Sequence, residues 1–291
     1  MKYSIVPLED SDFELIDEKI GEYENSIAPP EKDAEESAFV LKITDEKNNV
    51  IAGCAVEIND WGIAEIEPMW VEERYRGQGI GSALLREAER ISAEKGCHLS
   101  TLLTHDWQAK GFYEKHGYTL CCTIEDWPKG HREYLFEKWL DFEGQTYAAF
   151  SARSDYEIEF GNDDDIDFLN DRLDEYDSAY VLHPWDGIEY IEKKLIDEEG
   201  NLIAGIISRV YTWEAAQVVT LWVEEPYRNK GFGSKLLNWI ETEVKEKGCT
   251  AMRVNSPDWS VEYFKKRGYA ICGATKDYPK GHSWYYLKRS L

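Results

Sequence analysis

The 291-residue chain carries 57 acidic and 33 basic side chains, a formal charge of −24. Such an acid excess excludes a sequence-independent grip on nucleic-acid phosphates, which requires clustered Lys and Arg. With 43% hydrophobic and 13% aromatic residues the composition is that of a folded protein, the length suits two domains at about 150 residues each, and no apolar run approaches the ~20 residues of a bilayer-spanning helix.

In chain order, residues 3–8 read as a strand and 13–23 as a helix entered through Ser11 or Asp12 as cap. The first residues, MKYSIVP, lack the apolar core and cleavage site of a secretory leader, so a cytoplasmic protein is expected. Strands over 39–44 and 50–58 flank the turn Lys47-Asn48-Asn49 as a hairpin. A strand over 63–71 precedes a glycine-rich turn and a helix over 81–95, in which Ala83, Leu84, Leu85, Ala88 and Ile91 fall at helical spacing before Gly96. Strand 99–104, helix 108–116 and strands 118–125 and 133–139 follow. The order then recurs: strand 156–160, helix 166–176, a hairpin through Glu199-Gly200-Asn201, strand 217–223, helix 233–247, then strand, helix and two strands.

The recurrence is a duplication. Residues 70–85 read WVEERYRGQGIGSALL and residues 222–237 read WVEEPYRNKGFGSKLL, identical at eleven of sixteen positions with an offset of 152. Beyond Trp107 and Trp259 the offset becomes 151, and Pro128-Lys129-Gly130-His131 matches Pro279-Lys280-Gly281-His282. A period this long is a repeated domain rather than a solenoid. It predicts units at 1–145 and 155–291, each an α/β fold with a mixed sheet flanked by helices, joined near 142–155. Cys97 corresponds to Cys249 and Cys121 to Cys272, so these cysteines read as packed thiols, and no spacing suggests a zinc ribbon or other metal site. His131 and His282 recur with their turn and read as turn structure.

Between strand and helix, Arg76-Gly77-Gln78-Gly79-Ile80-Gly81 and Arg228-Asn229-Lys230-Gly231-Phe232-Gly233 aim backbone N–H groups and a helix N-terminus at one point, as a pyrophosphate requires. Neither turn is GxGxxG or GxxxxGK[ST]. Arg-x-x-Gly-x-Gly after a strand ending in Trp-Val, with Phe112-Tyr113-Glu114-Lys115-His116-Gly117-Tyr118 downstream, resembles the GNAT acyltransferase superfamily over nearly all of both halves. The resemblance implies two tandem GNAT folds, each with a splayed central sheet, acetyl-CoA as donor, and direct transfer to an amine. It implies that Gln78, Gly79, Ile80, Gly81 and Ser82, and Lys230, Gly231, Phe232, Gly233 and Ser234, hold the pyrophosphate. It also puts Trp70 and Val71, and Trp222 and Val223, along the pantetheine. Pro68 cannot donate a ladder bond, which fits a bulge in that strand.

The resemblance further implies a Glu general base at Glu65 and a phenolic acid at Tyr113. Glu67, two residues on, shares the face of Glu65, and close carboxylates raise one another's pKa toward the range of a base. In the second copy Gln217, Val219 and Phe264 stand at these places, and none can exchange the required proton. The expectation is an active first half and a second half that keeps cofactor binding without chemistry; a CoA-binding regulatory or scaffold pair without turnover is the alternative. Residues 9–36 carry twelve acids and residues 155–199 carry seventeen. The resemblance implies that the first helical segment walls the acceptor site, so a small cationic amine or an exposed lysine is the expected acceptor, with Arg76, Arg228 and Lys230 reversing the field for the anionic donor. No nucleic acid or membrane is expected as partner.

Overall fold

The computed structural model describes residues 2–31, 37–140, 156–181 and 187–291; the expected junction at 142–155 lies outside these. The first half contributes β1 (Tyr3–Pro7), α1 (Asp10–Ile27), β2 (Ser37–Thr44), β3 (Val50–Ile58), β4 (Ile63–Val71), α2 (Ile80–Glu94), β5 (Leu99–His105), α3 (Lys110–Lys115), β6 (Thr119–Glu125) and β7 (Arg132–Trp139). The second contributes β8 (Glu159–Phe160), α4 (Asp163–Asp177), β9 (Glu189–Asp197), β10 (Leu202–Tyr211), β11 (Ala215–Val223), α5 (Phe232–Glu246), β12 (Ala251–Pro257), α6 (Asp258–Lys265), β13 (Ala270–Lys276) and β14 (Ser283–Ser290). Each central helix buries one apolar stripe on its own sheet: Leu84, Leu85 and Ala88 of α2 meet Ala64 and Ile66, and Leu236, Leu237 and Ile240 of α5 meet Ala216 and Val218.

Two local expectations shift. The helix expected over 13–23 starts at Asp10, with Glu9 rather than Ser11 or Asp12 as cap, because the Asp12 carboxylate reaches back to accept the Glu9 N–H at 2.9 Å. The strand expected over 156–160 is reduced to Glu159–Phe160, a sheet-edge strand paired with Leu41 and Lys42.

The main architectural feature is an exchange of N-terminal arms. Strand β1 pairs antiparallel with β9, Ile5 opposite Leu195, whereas β8 pairs with β2, Phe160 opposite Leu41. The helices follow their strands. Ile16 of α1 is buried against Gly205, where a Cβ would stand 2.3 Å from Ile16 Cδ1, and Leu169 of α4 is buried against Gly53, where a Cβ would stand 3.0 Å from Leu169 Cδ1. Burying each such side chain contributes about 2 kcal/mol. Ion pairs repeat the symmetry: Lys19–Glu224 at 2.8 Å answers Arg172–Glu72 at 3.5 Å, and Lys194–Asp12 answers Lys42–Asp165 at 2.9 Å. Each half is therefore covered by a helix that the sequence places in the other.

One mixed sheet runs through both halves, in the order β1-β9-β10-β11-β12-β14-β13-β6-β7-β5-β4-β3-β2-β8, and the halves meet where Gly273 of β13 bridges Cys122 of β6. The loops after β6 and β13 cross this junction. Trp127 packs with Tyr211 and Ala251 of the second half, and Tyr278 packs with Trp61, Ile63 and Leu99 of the first. All six cysteines are free thiols, as read from the sequence, and His131 and His282 bond the loop carboxylates of Asp106 and Asp258. Among the described residues no helix is long and apolar enough to cross a membrane.

Candidate functional site

The sheet splays where the sequence pattern implied it. Strands β4 and β5 pair in parallel from Ile63–Leu99 to Glu65–Thr101, then diverge, and β11 and β12 do the same after Val218–Val254. On the other side of β4 the register shifts opposite the stretch holding Glu67 and Pro68, and β11 shifts at Val219. These bulges break the ladder and turn the strand.

The turns after β4 and β11 have matching backbones. Gly77 and Gly79 have φ of 74° and 87°, and Asn229 and Gly231 have φ of 60° and 87°, Asn being the non-glycine residue that best tolerates this region. Gly79 and Gly231 are the N-caps of α2 and α5. The first N–H groups of each helix, from Ile80 to Ser82 and from Phe232 to Ser234, lack intrahelical acceptors and face the turn. A Cβ on Gly77 or Gly79 would meet nothing within 4 Å, so the ground before the turn is open. An exposed, donor-rich turn beside a splayed strand fits the pyrophosphate and pantetheine of acetyl-CoA.

The side chains around these turns are more constrained than the motif implied. Arg76 folds back, its Nε donating to the Val71 carbonyl at 2.8 Å and its guanidinium lying over Trp70 and over Tyr176 of the exchanged α4. Arg228 repeats this with Val223, Trp222 and Tyr23 of α1. The indoles of Trp70 and Trp222 thus face the exchanged helices, while Val71 faces Gly81 beside Met69 and Phe112. Gln78 Nε2 donates to the Arg74 carbonyl at 3.0 Å, and Lys230 lies over Tyr227. Ser82 bonds His116 Nε2 at 2.9 Å, whereas Ser234 is bonded by Arg267, which leaves the second turn richer in positive charge.

In the first half, Ala64 and Ile66 point into the core beneath α2, and Glu65 and Glu67 point away from it, toward a cleft. Water reaches both carboxylates through the cleft mouth, yet protein occupies most of the space around them. Loss of water pushes Glu65 above the usual carboxylate range, against the pull of a Tyr278 hydrogen bond and with the repulsion of Glu57. Glu67 is pushed up to about 7, first by loss of water, then by Glu133 and Glu65, with Arg253 opposing. Tyr113 lies across the splay, in the core with Phe112, Tyr118 and Phe136; burial pushes its phenol up, and its hydroxyl contacts Met69 Sδ at 4.0 Å. It therefore holds its proton throughout the physiological range. Glu65, Glu67 and Met69, the residue that Tyr113 contacts, all lie on β4 where it leaves β5.

Beside Glu65 opens a cavity of about 480 Å³ whose polar lining includes Ser37, Glu57, Asn59, Glu65 and Tyr278. The Tyr278 hydroxyl donates to Glu65 Oε1 at 2.6 Å. Sequence reading missed Tyr278; the available signal was that the residue before the repeated Pro-Lys-Gly-His is Tyr in one copy and Trp in the other. It also missed Arg253. In the second half Gln217 Oε1 accepts from Tyr211 at 2.8 Å and from Arg253 Nε at 3.0 Å, and Val219 and Phe264 stand at the other two positions. Arg253 crosses the junction to pair with Glu133 and lies over Trp127. At the place equivalent to the Glu65 cavity, Gln217 and Arg253 of the second half pack with Trp127 of the first.

A donor-rich glycine turn beside a splayed strand that carries two carboxylates is an arrangement suited to an acyl-transfer enzyme. The acetyltransferase (GNAT) family matches residues 3–118 and 152–269, and the chain belongs to it; it is an acyltransferase built from two copies of that fold. Blasticidin-S acetyltransferase of Streptomyces morookaense is 40% identical over 91 residues, 31% of this chain and 67% of that protein. S-(2-succino)cysteine N-acetyltransferase of Bacillus subtilis is 28% identical over 109 residues, 33% of this chain and 65% of that protein. A crystal structure of an acetyltransferase from Bacillus cereus ATCC 14579 aligns with a TM-score of 0.44 and 30% identity, over 46% of this chain and 97% of that one.

Proposed function

We propose that the protein is an acetyl-CoA-dependent N-acetyltransferase for a small cationic amine, with the chemistry in the first half. The observation that carries this reading is the Glu65–Glu67 face where β4 leaves β5, with Tyr113 in contact with Met69 of the same strand, next to a cavity whose acidic lining is Glu57 and Glu65. Acetyl-CoA, when bound, supplies the activated acetyl group and the thiolate leaving group. The amides of residues 78–82 hold its pyrophosphate and the β4 backbone from Trp70 to Val71 holds its pantetheine, with Arg76 bracing the end of that strand. Glu57 and Glu65 attract and orient the ammonium of the acceptor. Glu67 sits in the bulge where β4 leaves β5, and its carboxyl near 7 is matched to taking up the acceptor's proton at neutral pH. Tyr113 Oη holds the proton that a departing thiolate requires.

The second half keeps the turn, with Lys230 and Arg267 adding positive charge, and binds acetyl-CoA without transfer, because Gln217, Val219 and Phe264 neither accept nor donate the needed proton. The relatives that act on blasticidin S and S-(2-succino)cysteine support a small-molecule acceptor over a protein lysine. Because the arms are exchanged, the test uses the full chain. CoA-thiol release is followed over a panel of amines, with Glu67→Gln in the first half and Gln217→Ala in the second. Turnover that Glu67→Gln abolishes and Gln217→Ala spares supports the assignment. Absence of turnover with every amine leaves the CoA-binding scaffold, and loss with Gln217→Ala alone moves the chemistry to the second half.

A further inference from the structure

The two crossing loops occupy equivalent places but bring different residues, and each enters the acceptor end of the other half. The loop carrying Tyr278 is fixed from both sides of the junction. Within the second half His282 Nδ1 donates to the Asp258 carboxylate at 3.1 Å and Gly281 N–H donates to Asp277 at 2.8 Å; across the junction His98 Nε2 bonds the Asp277 carbonyl at 3.0 Å and Lys280 pairs with Glu31 at 3.1 Å. The Tyr278 ring is wedged edge-on against Trp61 and Trp284. Its hydroxyl then has one direction available, toward Glu65 Oε1 at 2.6 Å, with Asn59 Nδ2 donating to it from 3.4 Å.

We propose that Tyr278, supplied by the second half, is a specificity-determining residue of the first half's acceptor pocket: it fixes one oxygen of Glu65 and leaves the other, with Glu57, to receive a cationic amine. This rests on the reading of the first half as the transfer site. The second half shows what the same position does without the phenol. There Trp127, 1% exposed, fills the space, and the Arg253 guanidinium lies over its ring at 4.8 Å and donates to Gln217. A cation of the protein itself thus occupies the second cleft, against the residue equivalent to Glu65. In the first half Thr101 stands at the strand position of Arg253, paired with Glu65 as Arg253 is with Gln217, so the carboxylates there are left for a cation from outside. The duplicated half, without chemistry of its own, completes the wall of the working site.

The test uses full-length Tyr278→Phe and Tyr278→Trp, with spermidine binding measured calorimetrically and transfer measured over a panel of mono-, di- and polyamines. A hydrogen bond to a charged group is removed by Phe, so the acceptor KM and the spermidine Kd rise by about tenfold, with kcat and acetyl-CoA affinity within about twofold. Trp, which the equivalent position of the second half already accommodates, closes the cavity, raises both constants more than tenfold and favours the shortest amines. Identical acceptor KM, Kd and amine ranking in all three proteins overturns the assignment, as does a fall in kcat without a change in KM. Spermidine binding that depends on Tyr278 without any turnover supports it and overturns the transferase reading instead. Amines neither bound nor acetylated by the wild type overturn both.

Discussion

Glu67→Gln is the sharpest perturbation of the proposed chemistry, because it removes the proton acceptor while keeping shape and hydrogen-bonding capacity. General-base participation contributes about 10²–10⁴-fold, so kcat/KM should fall by roughly 10²-fold or more. The pH dependence is more diagnostic. With the Glu67 carboxyl near 7, about one site in a hundred is ionised at pH 5 and about ten in eleven at pH 8, so wild-type kcat/KM climbs through this region. The variant lacks that limb; the amine's own titration is common to both proteins and cancels in their ratio. Stability separates lost chemistry from lost fold. Folding raises this carboxyl above its ordinary 4.5, so the folded state binds the proton more tightly, and wild-type stability declines as pH rises from about 5 through 7. A neutral Gln escapes that decline. Glu67→Gln should therefore melt at or above the wild-type temperature at pH 8, with the gap closing toward pH 4. Rate–pH profiles in matched buffers and scanning calorimetry at both pH values check this. A limb that survives in Glu67→Gln and disappears in Glu65→Gln refutes the assignment to Glu67, and a lower melting temperature at pH 8 refutes the electrostatic reasoning.

Tyr113→Phe loses a contact only to Met69 Sδ at 4.0 Å, so urea denaturation should show a change under about 1 kcal/mol, while kcat falls about 10²-fold and calorimetric acetyl-CoA binding is unchanged; an unchanged kcat removes the phenol from the mechanism. Arg253→Met leaves Glu133, 2% exposed, without its guanidinium and should cost about 3–5 kcal/mol in urea, most of it recovered in the pair Arg253→Met with Glu133→Gln. Glu67 also loses the cation that opposes its rise, so the activity limb of the single variant should move to higher pH. Gly79→Ala and Gly231→Ala each force a φ of 87° on a residue with a Cβ, about 1–2 kcal/mol of strain in the turn. Calorimetry should count two acetyl-CoA sites in the wild type and one in each variant, with transfer lost only in Gly79→Ala.

What the sequence made legible was local and periodic. Strand alternation is enough to put Glu65 and Glu67 on one face and Ala64 and Ile66 on the other, and glycines between a strand and an amphipathic helix are enough to mark the turn. Pro68 marked the bulge for the same kind of reason, since a missing N–H must fall where the ladder is broken. Comparison of the copies reached further, separating Gln217, Val219 and Phe264 from their first-half counterparts. It stopped at residues whose role depends on what crosses the junction. The Pro-Lys-Gly-His segments are turn structure, as their His–Asp contacts show. The residue that matters to the site is the one before the Pro, 213 positions from the carboxylate it bonds, and no local pattern specifies such a partner.

The arm exchange was illegible for a related reason. Pattern identifies residues 3–8 as a strand, but an edge strand can pair with any free edge of matching character, and duplication supplies two. The contacts that hold the arms are nearly interchangeable: Ile16 on Gly205 and Leu169 on Gly53, Tyr23 on Trp222 and Tyr176 on Trp70, Lys194 with Asp12 and Lys42 with Asp165. Each arm would find equivalent partners on its own half, so the choice between exchanged and unexchanged arms lies outside these contacts. Contacts particular to one arm break the tie. Asp177 at the end of α4 accepts from Trp107 Nε1 at 2.7 Å and from Gln108 Nε2 at 2.9 Å, while Glu24, its counterpart at the end of α1, is pushed up to about 7 by burial and by Asp60 and Asp17. On the first half, α4 thus fixes the loop that leads into α3 and Tyr113. An arm ending in Glu24 would bring a longer side chain and, above pH 7, a charge set among other acids. The exchange gives the better-matched arm to the half that holds Glu67 and Tyr113, which is the half where the position of that loop bears on the chemistry.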